Sequence, residues 1–271
     1  MNYINLIVFI ISLLLSYIGS PMILDMLKRG KSTKLNYRNE DIPIGMGLLF
    51  ILVQFIRVGI VIILGNENFQ YIISYLFAIT LIGMIGLLDD LTGEEDIKGF
   101  KGHIKSFFKG ILTTGGMKAG IGFLIALFIS IMISDNFIDI LVNTLLIALF
   151  TNFTNLFDLR PGRALKVFIL ISLIMLFSNK INEYNFIIYS FYGILCIYLP
   201  LDLKAMAMMG DVGSNVLGMT LGIYCGLTHS LIGKLIYLFI LIFLHIIAEK
   251  VSFSKIIEKN KFLNFIDNLG R

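Results

Sequence analysis

The sequence predicts an all-α, polytopic integral membrane bundle of about nine transmembrane helices, with the amino terminus outside and the carboxyl terminus cytoplasmic. Three observations carry that expectation. The 271 residues are 57% hydrophobic and 15% charged, with a mean hydropathy of +0.89; a soluble domain holds about 45–50% apolar and about 25% charged residues. The apolar residues fall in nine runs, and a helix rising about 1.5 Å per residue needs about 20 of them to cross a hydrocarbon core of about 30 Å. The basic residues alternate between successive inter-run segments, as a bias toward cytoplasmic loops requires.

The runs cover residues 3–24, 44–64, 71–88, 119–133, 138–157, 164–177, 186–201, 212–227 and 231–248. The fourth and sixth are short and must borrow residues from their flanks. No basic residue precedes the first run, so it reads as a span and not as a cleaved signal peptide. The first gap holds Lys28, Arg29, Lys31, Lys34 and Arg38, and the third holds Lys98, Lys101, Lys105, Lys109 and Lys118. Arg160, Arg163 and Lys166 fill the fifth, Lys204 the seventh, and Lys250, Lys255, Lys259, Lys261 and Arg271 the tail. These segments contain nineteen of the twenty-two basic residues, leaving Arg57, Lys180 and Lys234. An odd number of crossings then puts the two termini on opposite sides.

Residues 1–250 read as the transmembrane domain and 251–271 as a cytoplasmic tail. In the tail, Phe253, Ile256, Ile257, Asn260, Leu263, Ile266 and Leu269 recur at helical spacing between lysines. That stripe predicts an amphipathic helix on the inner leaflet or against the bundle. Cys196 and Cys225 lie in apolar runs and read as free buried thiols. The composition excludes a disordered chain. A net charge of +4 is too small a surplus to indicate nucleic acid, and no such partner is expected.

Acids at the edge of hydrocarbon are costly and tend to be functional. Asp89 and Asp90 end the third run, Asp158 ends the fifth, and Asp211 precedes the eighth. The expected topology puts all four at the inner face, where clustered carboxylates would raise one another's pKa unless a cation joined them. Mg²⁺ takes one or two carboxylates together with substrate phosphates, and Asp211 or its neighbours could hold it. Gly210 and Gly213 would let backbone amides approach a phosphate, and Ser214 would open a helix whose positive end favours an anion. Lys98, Lys101, Lys105 and Lys109 follow the Asp pair in one loop and suit a multiply anionic substrate. Plainer roles stand beside these. Asp90 could be only the polar stop of a helix, Asn152 and Asn155 could hydrogen-bond between helices, and the lysines could serve only orientation. Gly115-Gly116 reads as a turn, His103 and His229 as residues outside the site, and His245 as a packing histidine. Arg57 is either paired inside the bundle or snorkelling.

The ordered set Gly86 to Asp90, Asn152 to Asp158 and Met209 to Ser214 resembles the polyprenyl-phosphate N-acetylhexosamine-1-phosphate transferases. Ile42-Pro43-Ile44-Gly45-Met46-Gly47 is similar to that family's Pro- and Gly-rich approach to its second span, and the resemblance covers roughly residues 36–220. It implies transfer of a sugar phosphate from a UDP-N-acetylhexosamine to polyprenyl (undecaprenyl) phosphate, with release of UMP, in bacterial cell-envelope synthesis at the plasma membrane. It also implies that Asp89 and Asp90 activate the lipid phosphate, with Asp158 as a third catalytic candidate. Asp211 would bind Mg²⁺, with Asn155 as a further ligand; Asn152, Lys105, Gly210 and Ser214 become substrate-binding candidates. The chain departs from the translocase branch in Asp158-Leu159-Arg160-Pro161-Gly162-Arg163, where Pro161 replaces a second Asp. There Arg160 and Arg163 are expected to grip a phosphate or an acidic sugar. Alternative readings are a catalytically silent relative that binds a lipid-linked or nucleotide ligand, and a transporter; a homodimer is left open.

Overall fold

A computed structural model describes residues 3–64, 69–92 and 113–271. The expected residues Lys98, Lys101, His103, Lys105 and Lys109 lie outside the described segments. The helices are α1 (Tyr3–Arg29), α2 (Leu48–Ile63), α3 (Phe69–Thr92), α4 (Thr114–Ile133), α5 (Phe137–Phe157), α6 (Arg163–Ser178), α7 (Phe186–Leu203), α8 (Gly210–Thr228) and α9 (Leu231–Lys250). Two short helices, α10 (Phe253–Lys259) and α11 (Lys261–Asn268), form the tail. Each of the nine apolar runs is therefore a helix. Among the described residues six helices are long and apolar enough to cross a membrane, α1, α3, α4, α5, α7 and α9, and the chain is a polytopic helical membrane protein.

The other three fall short for identifiable reasons. Helices α2 and α6 have only 16 residues each. Helix α8 is long enough but rich in Gly, Ser, Asn and Thr, because it is wrapped by protein: only Asp211 and Leu227 are not buried along it. A helix with no lipid-facing side needs no apolar coat. It packs against α3 and α5 through small residues four apart. A Cβ at Gly218 would strike Thr151 Cα at 2.5 Å, and one at Gly222 would strike Ile147 Cα at 2.6 Å.

The structure adds one element that an all-α reading omits, an antiparallel hairpin of β1 (Thr33–Leu35) and β2 (Asp41–Pro43). Its continuation is sewn to the segment before α8. Met208 N donates to Pro43 O at 2.8 Å, Met46 N to Met208 O at 3.1 Å and Gly47 N to Met209 O at 3.0 Å. Gly115 and Gly116 form no turn, since both lie in the first turn of α4, where Thr113 caps Gly116 N at 3.1 Å. Cys196 is free but exposed on α7, contrary to the expected burial, whereas Cys225 is free and buried in α8. Arg57 is fully buried and paired inside the bundle. Its Nε donates to Gln54 Oε1 at 2.7 Å, and its guanidinium carbon lies 5.4 Å from the ring centroids of both Tyr75 and Phe186. His229 bonds Ser178 and Thr228, and His245 packs beside Phe153 with Nδ1 near Leu241 O.

The tail breaks at Asn260, whose extended backbone ends α10 and whose Oδ1 accepts from Phe262 N and Leu263 N to start α11. It docks on the bundle. Arg163 Nε and Nη2 grip the two Asp267 oxygens at 2.8 Å each, and Arg271 holds the same carboxylate at 2.8 and 3.1 Å. Lys166 Nζ caps the end of α11 through Ile266 O and Asp267 O. Arg163 thus faces the tail, where an anion of the substrate was expected.

Burial opposes a charge on Asp267, but the Arg163 and Arg271 guanidiniums outweigh it and hold its carboxyl below the ordinary Asp range, about 3.9. The latch therefore contributes in full above that range and is lost only as pH falls through the lower folded-state value. Removing one partner of a buried pair costs roughly 3–5 kcal/mol. Tryptic cleavage at Lys259 and Lys261 at pH 8 is expected to speed up at least several-fold in Asp267→Asn; equal rates for variant and wild type would show that the tail is not latched.

Candidate active site at the end of helices α3, α5 and α8

The carboxyl ends of α3 and α5 meet the amino ends of α4 and α8, and Asp89, Asp90, Asp211 and Asn155 gather there. The Lys118 ammonium lies between two of the acids, 3.1 Å from Asp89 Oδ2 and in direct contact with Asp211 Oδ2. All three side chains are mostly covered, with 17–23% of their surface exposed. The Asn155 amide, oriented so that its nitrogen faces acceptors, donates to Asp211 Oδ1 at 2.8 Å and Ser214 Oγ at 2.9 Å. Its oxygen then accepts from Lys118 Nζ at 3.3 Å.

Asp90 is engaged differently. Its Oδ1 accepts from Asp211 N at 3.1 Å and its Oδ2 from Val212 N at 3.4 Å. The first amides of a helix have no partner within it, and a carboxylate there also meets the positive end of the helix dipole. Asp90 thus caps α8 from another helix. Gly210 makes this possible: its φ of 69° is left-handed, and a Cβ would run into Asp90 Oδ2. Gly86, one turn earlier on α3, removes the next obstacle, since a Cβ there would lie 2.6 Å from the Asp211 carbonyl.

Ser214 is fully buried, donates to Gly210 O at 3.2 Å and offers its own carbonyl to Thr154 Oγ1 at 2.7 Å. Asp158 follows α5, its backbone N donating to Asn155 O at 3.1 Å. Its carboxyl is pushed well above the usual range by burial and then by the Asp202, Asp211 and Asp90 charges. Asn152 is exposed on α5. Arg160 rests on the Tyr37 ring, 5.0 Å from its centroid.

Two residues of this region were not among the sequence candidates for the site. Lys118 reads in sequence as one more orientation lysine, although it lies nearest the fourth apolar run. Asp202 is buried, accepts from Gly162 N at 2.6 Å and Tyr198 OH at 3.2 Å, and so pins the loop that follows Asp158. Its signal was an acid inside the apolar end of a span, Leu201-Asp202-Leu203.

Asp211, Asp89 and Asn155 offer oxygen donors, the type a hard divalent ion takes, but among the described residues no group of three acid, His or Cys side chains is arranged to hold a metal ion. Two carboxylates completed by substrate phosphates is how Mg²⁺ is ordinarily held.

Different duties imply different costs. Asp90→Ala removes a cap and is expected to destabilise by roughly 1–2 kcal/mol, whereas Asp158→Asn replaces a carboxyl whose charged form burial and its neighbours disfavour and is expected to leave the melting temperature unchanged or higher in cation-free detergent. Melting curves check the pair, and a lower midpoint for Asp158→Asn than for Asp90→Ala contradicts these assignments.

Residues 72–229 match the family model described as glycosyl transferase family 4. Among curated proteins none matches the chain. The matched segment is more than half of the sequence and contains Asp89, Asp90, Lys118, Asn155, Asp158, Asp202 and Asp211. Membership implies a transferase that moves a phospho-sugar to a lipid carrier. The chain belongs to glycosyl transferase family 4.

Proposed function

We propose that the protein transfers N-acetylhexosamine 1-phosphate from a UDP-sugar to polyprenyl phosphate, undecaprenyl phosphate in a bacterial plasma membrane, and releases UMP for cell-envelope synthesis. The observation that carries this reading is the convergence of Asp89, Asp211 and Asn155 around Lys118, with Asp90 bonded to the Asp211 backbone beside them. We place that convergence at the cytoplasmic face, with nine crossings and the amino terminus outside. The nine helices and the alternation of basic residues support that topology.

In the reaction a lipid phosphate oxygen attacks the phosphorus that carries the sugar. A new P–O bond forms, the bond to the bridging oxygen breaks, and the electron pair leaves on UMP. Such chemistry asks mainly for positioning and for positive charge near the phosphate oxygens. Lys118 supplies one fixed cation between Asp89 and Asp211. Asp211 and Asn155 would hold Mg²⁺, which would supply further positive charge to the diphosphate. We assign Asp89, beside the ammonium, to the lipid phosphate, and Asp90 to holding the first turn of α8. Asp158, at the end of α5 next to this group in sequence, is the third catalytic candidate. Gathering of the acids at one end favours transfer chemistry over a transporter, whose acids would be strung along a path.

Membranes containing the protein, undecaprenyl phosphate, Mg²⁺ and a panel of UDP-N-acetylhexosamines are expected to release UMP with at least one donor. Asp211→Asn and chelation of the metal should each reduce the rate, by roughly 10²-fold or more. Absence of release across the panel from folded protein would overturn the reading, and retained donor or lipid binding in that case would mark a catalytically silent relative.

A further inference from the structure

The cations of the hairpin take no part in the scheme above, yet they border the site. The hairpin runs directly into residues 44–47, which are bonded to the backbone before Asp211. On the other flank, residues 158–163 leave Asp158 and are held by Asp202 through Gly162 N. The two flanks touch at one aromatic ring. The guanidinium carbons of Arg38 and Arg160 each lie 5.0 Å from the Tyr37 ring centroid, so they cannot be more than twice that distance apart.

The turn that presents Arg38 is firmly built. Asn36 is buried, and its Oδ1 accepts from Arg38 N at 2.7 Å and Glu40 N at 3.0 Å, while Asn39 takes a left-handed φ of 61°. The acids of the hairpin are engaged within it. Glu40 accepts from Asn36 Nδ2 at 2.9 Å and Asp41 from Thr33 Oγ1 at 2.9 Å. Among the described residues, neither Arg38 nor Arg160 forms an ion pair. Two like charges on one ring repel, and a shared anion removes the repulsion. Guanidinium forks match phosphoryl oxygens in pairs and stack on aromatic faces, whereas an ammonium does neither as well.

We infer that Arg38 and Arg160, carried on the shared Tyr37 ring, form a phosphoryl-anion clamp at the rim of the site. On the reading proposed above, its ligand is the diphosphate of the sugar nucleotide. The same chemistry also fits an anionic lipid headgroup. Tyr37 is the positioning residue that keeps the two forks together.

The probe is inorganic pyrophosphate, titrated calorimetrically into the full chain in nanodiscs of uncharged lipid without divalent cation. Wild type is expected to bind. Arg38→Gln and Arg160→Gln should each weaken binding roughly tenfold or more, the scale of a lost charge-assisted hydrogen bond, and Tyr37→Leu should weaken it while leaving both charges in place. Arg38 is exposed, so Arg38→Gln carries the test even if Arg160→Gln fails to fold. Repeating the titration with phosphatidylglycerol in the disc separates the sources: competition identifies a headgroup in the clamp, and its absence identifies the soluble donor. Equal affinity in wild type and Arg38→Gln overturns the clamp. Because the probe involves no turnover, loss of UMP release with intact pyrophosphate binding would sink the transferase reading alone.

Discussion

The first turn of α8 is the point on which the site depends. Its opening amides would be unsatisfied at the edge of the membrane, where a lone polar group costs several kcal/mol. The Asp90 carboxylate of α3 satisfies two of them. That contact requires α3 and α8 to come closer than side chains ordinarily allow, and Gly86 and Gly210 remove the Cβ atoms that would prevent it. Once the two helix ends are joined, Asp89 and Asp211 are forced into each other's neighbourhood. Lys118, reaching in from α4, offsets their repulsion.

Helix α8 extends the same logic through the bundle. Glycines at 218 and 222 bring it against the backbone of α5, and so carry Asn155 and Ser214 into register beside Asp211. A helix enclosed by protein can hold the polar residues a site needs at its mouth, because lipid never meets it. The loops outside α8 are secured separately: Asp202 holds residues 158–163 from the bundle side, and the tail holds them from the other through Arg163, Asp267 and the Arg271–Pro161 bond of 2.8 Å.

Helix placement was legible because hydropathy reports a one-dimensional demand, a length of chain that lipid tolerates. All nine runs became helices, the eighth shifting only from 212–227 to 210–228. The acids were legible as a group because each sits where an apolar run ends. Partnerships were not. Nothing in the local pattern pairs Lys118 with Asp211, 93 residues away, or turns Arg163 toward Asp267, 104 residues away, since such pairs are set by packing. Asp202 also follows an apolar run, 186–201, but it stands alone between leucines with no polar neighbours to mark it. The hairpin at 33–43 is short and polar, and it exists because backbone pairing with Met208 gives it somewhere to attach. The break at Asn260 was readable in retrospect, as an Asn that caps the next turn within an otherwise unbroken stripe.

Electrostatic coupling between α4 and α8 is the element of this arrangement most exposed to refutation. A double-mutant cycle of Lys118→Met and Asp211→Asn, followed by reversible unfolding in detergent, measures it directly. Direct contact calls for non-additivity of about 1 kcal/mol or more, the double variant being less destabilised than the two singles together. If the two effects simply add, the ammonium does not lie between the carboxylates and the site does not form as described.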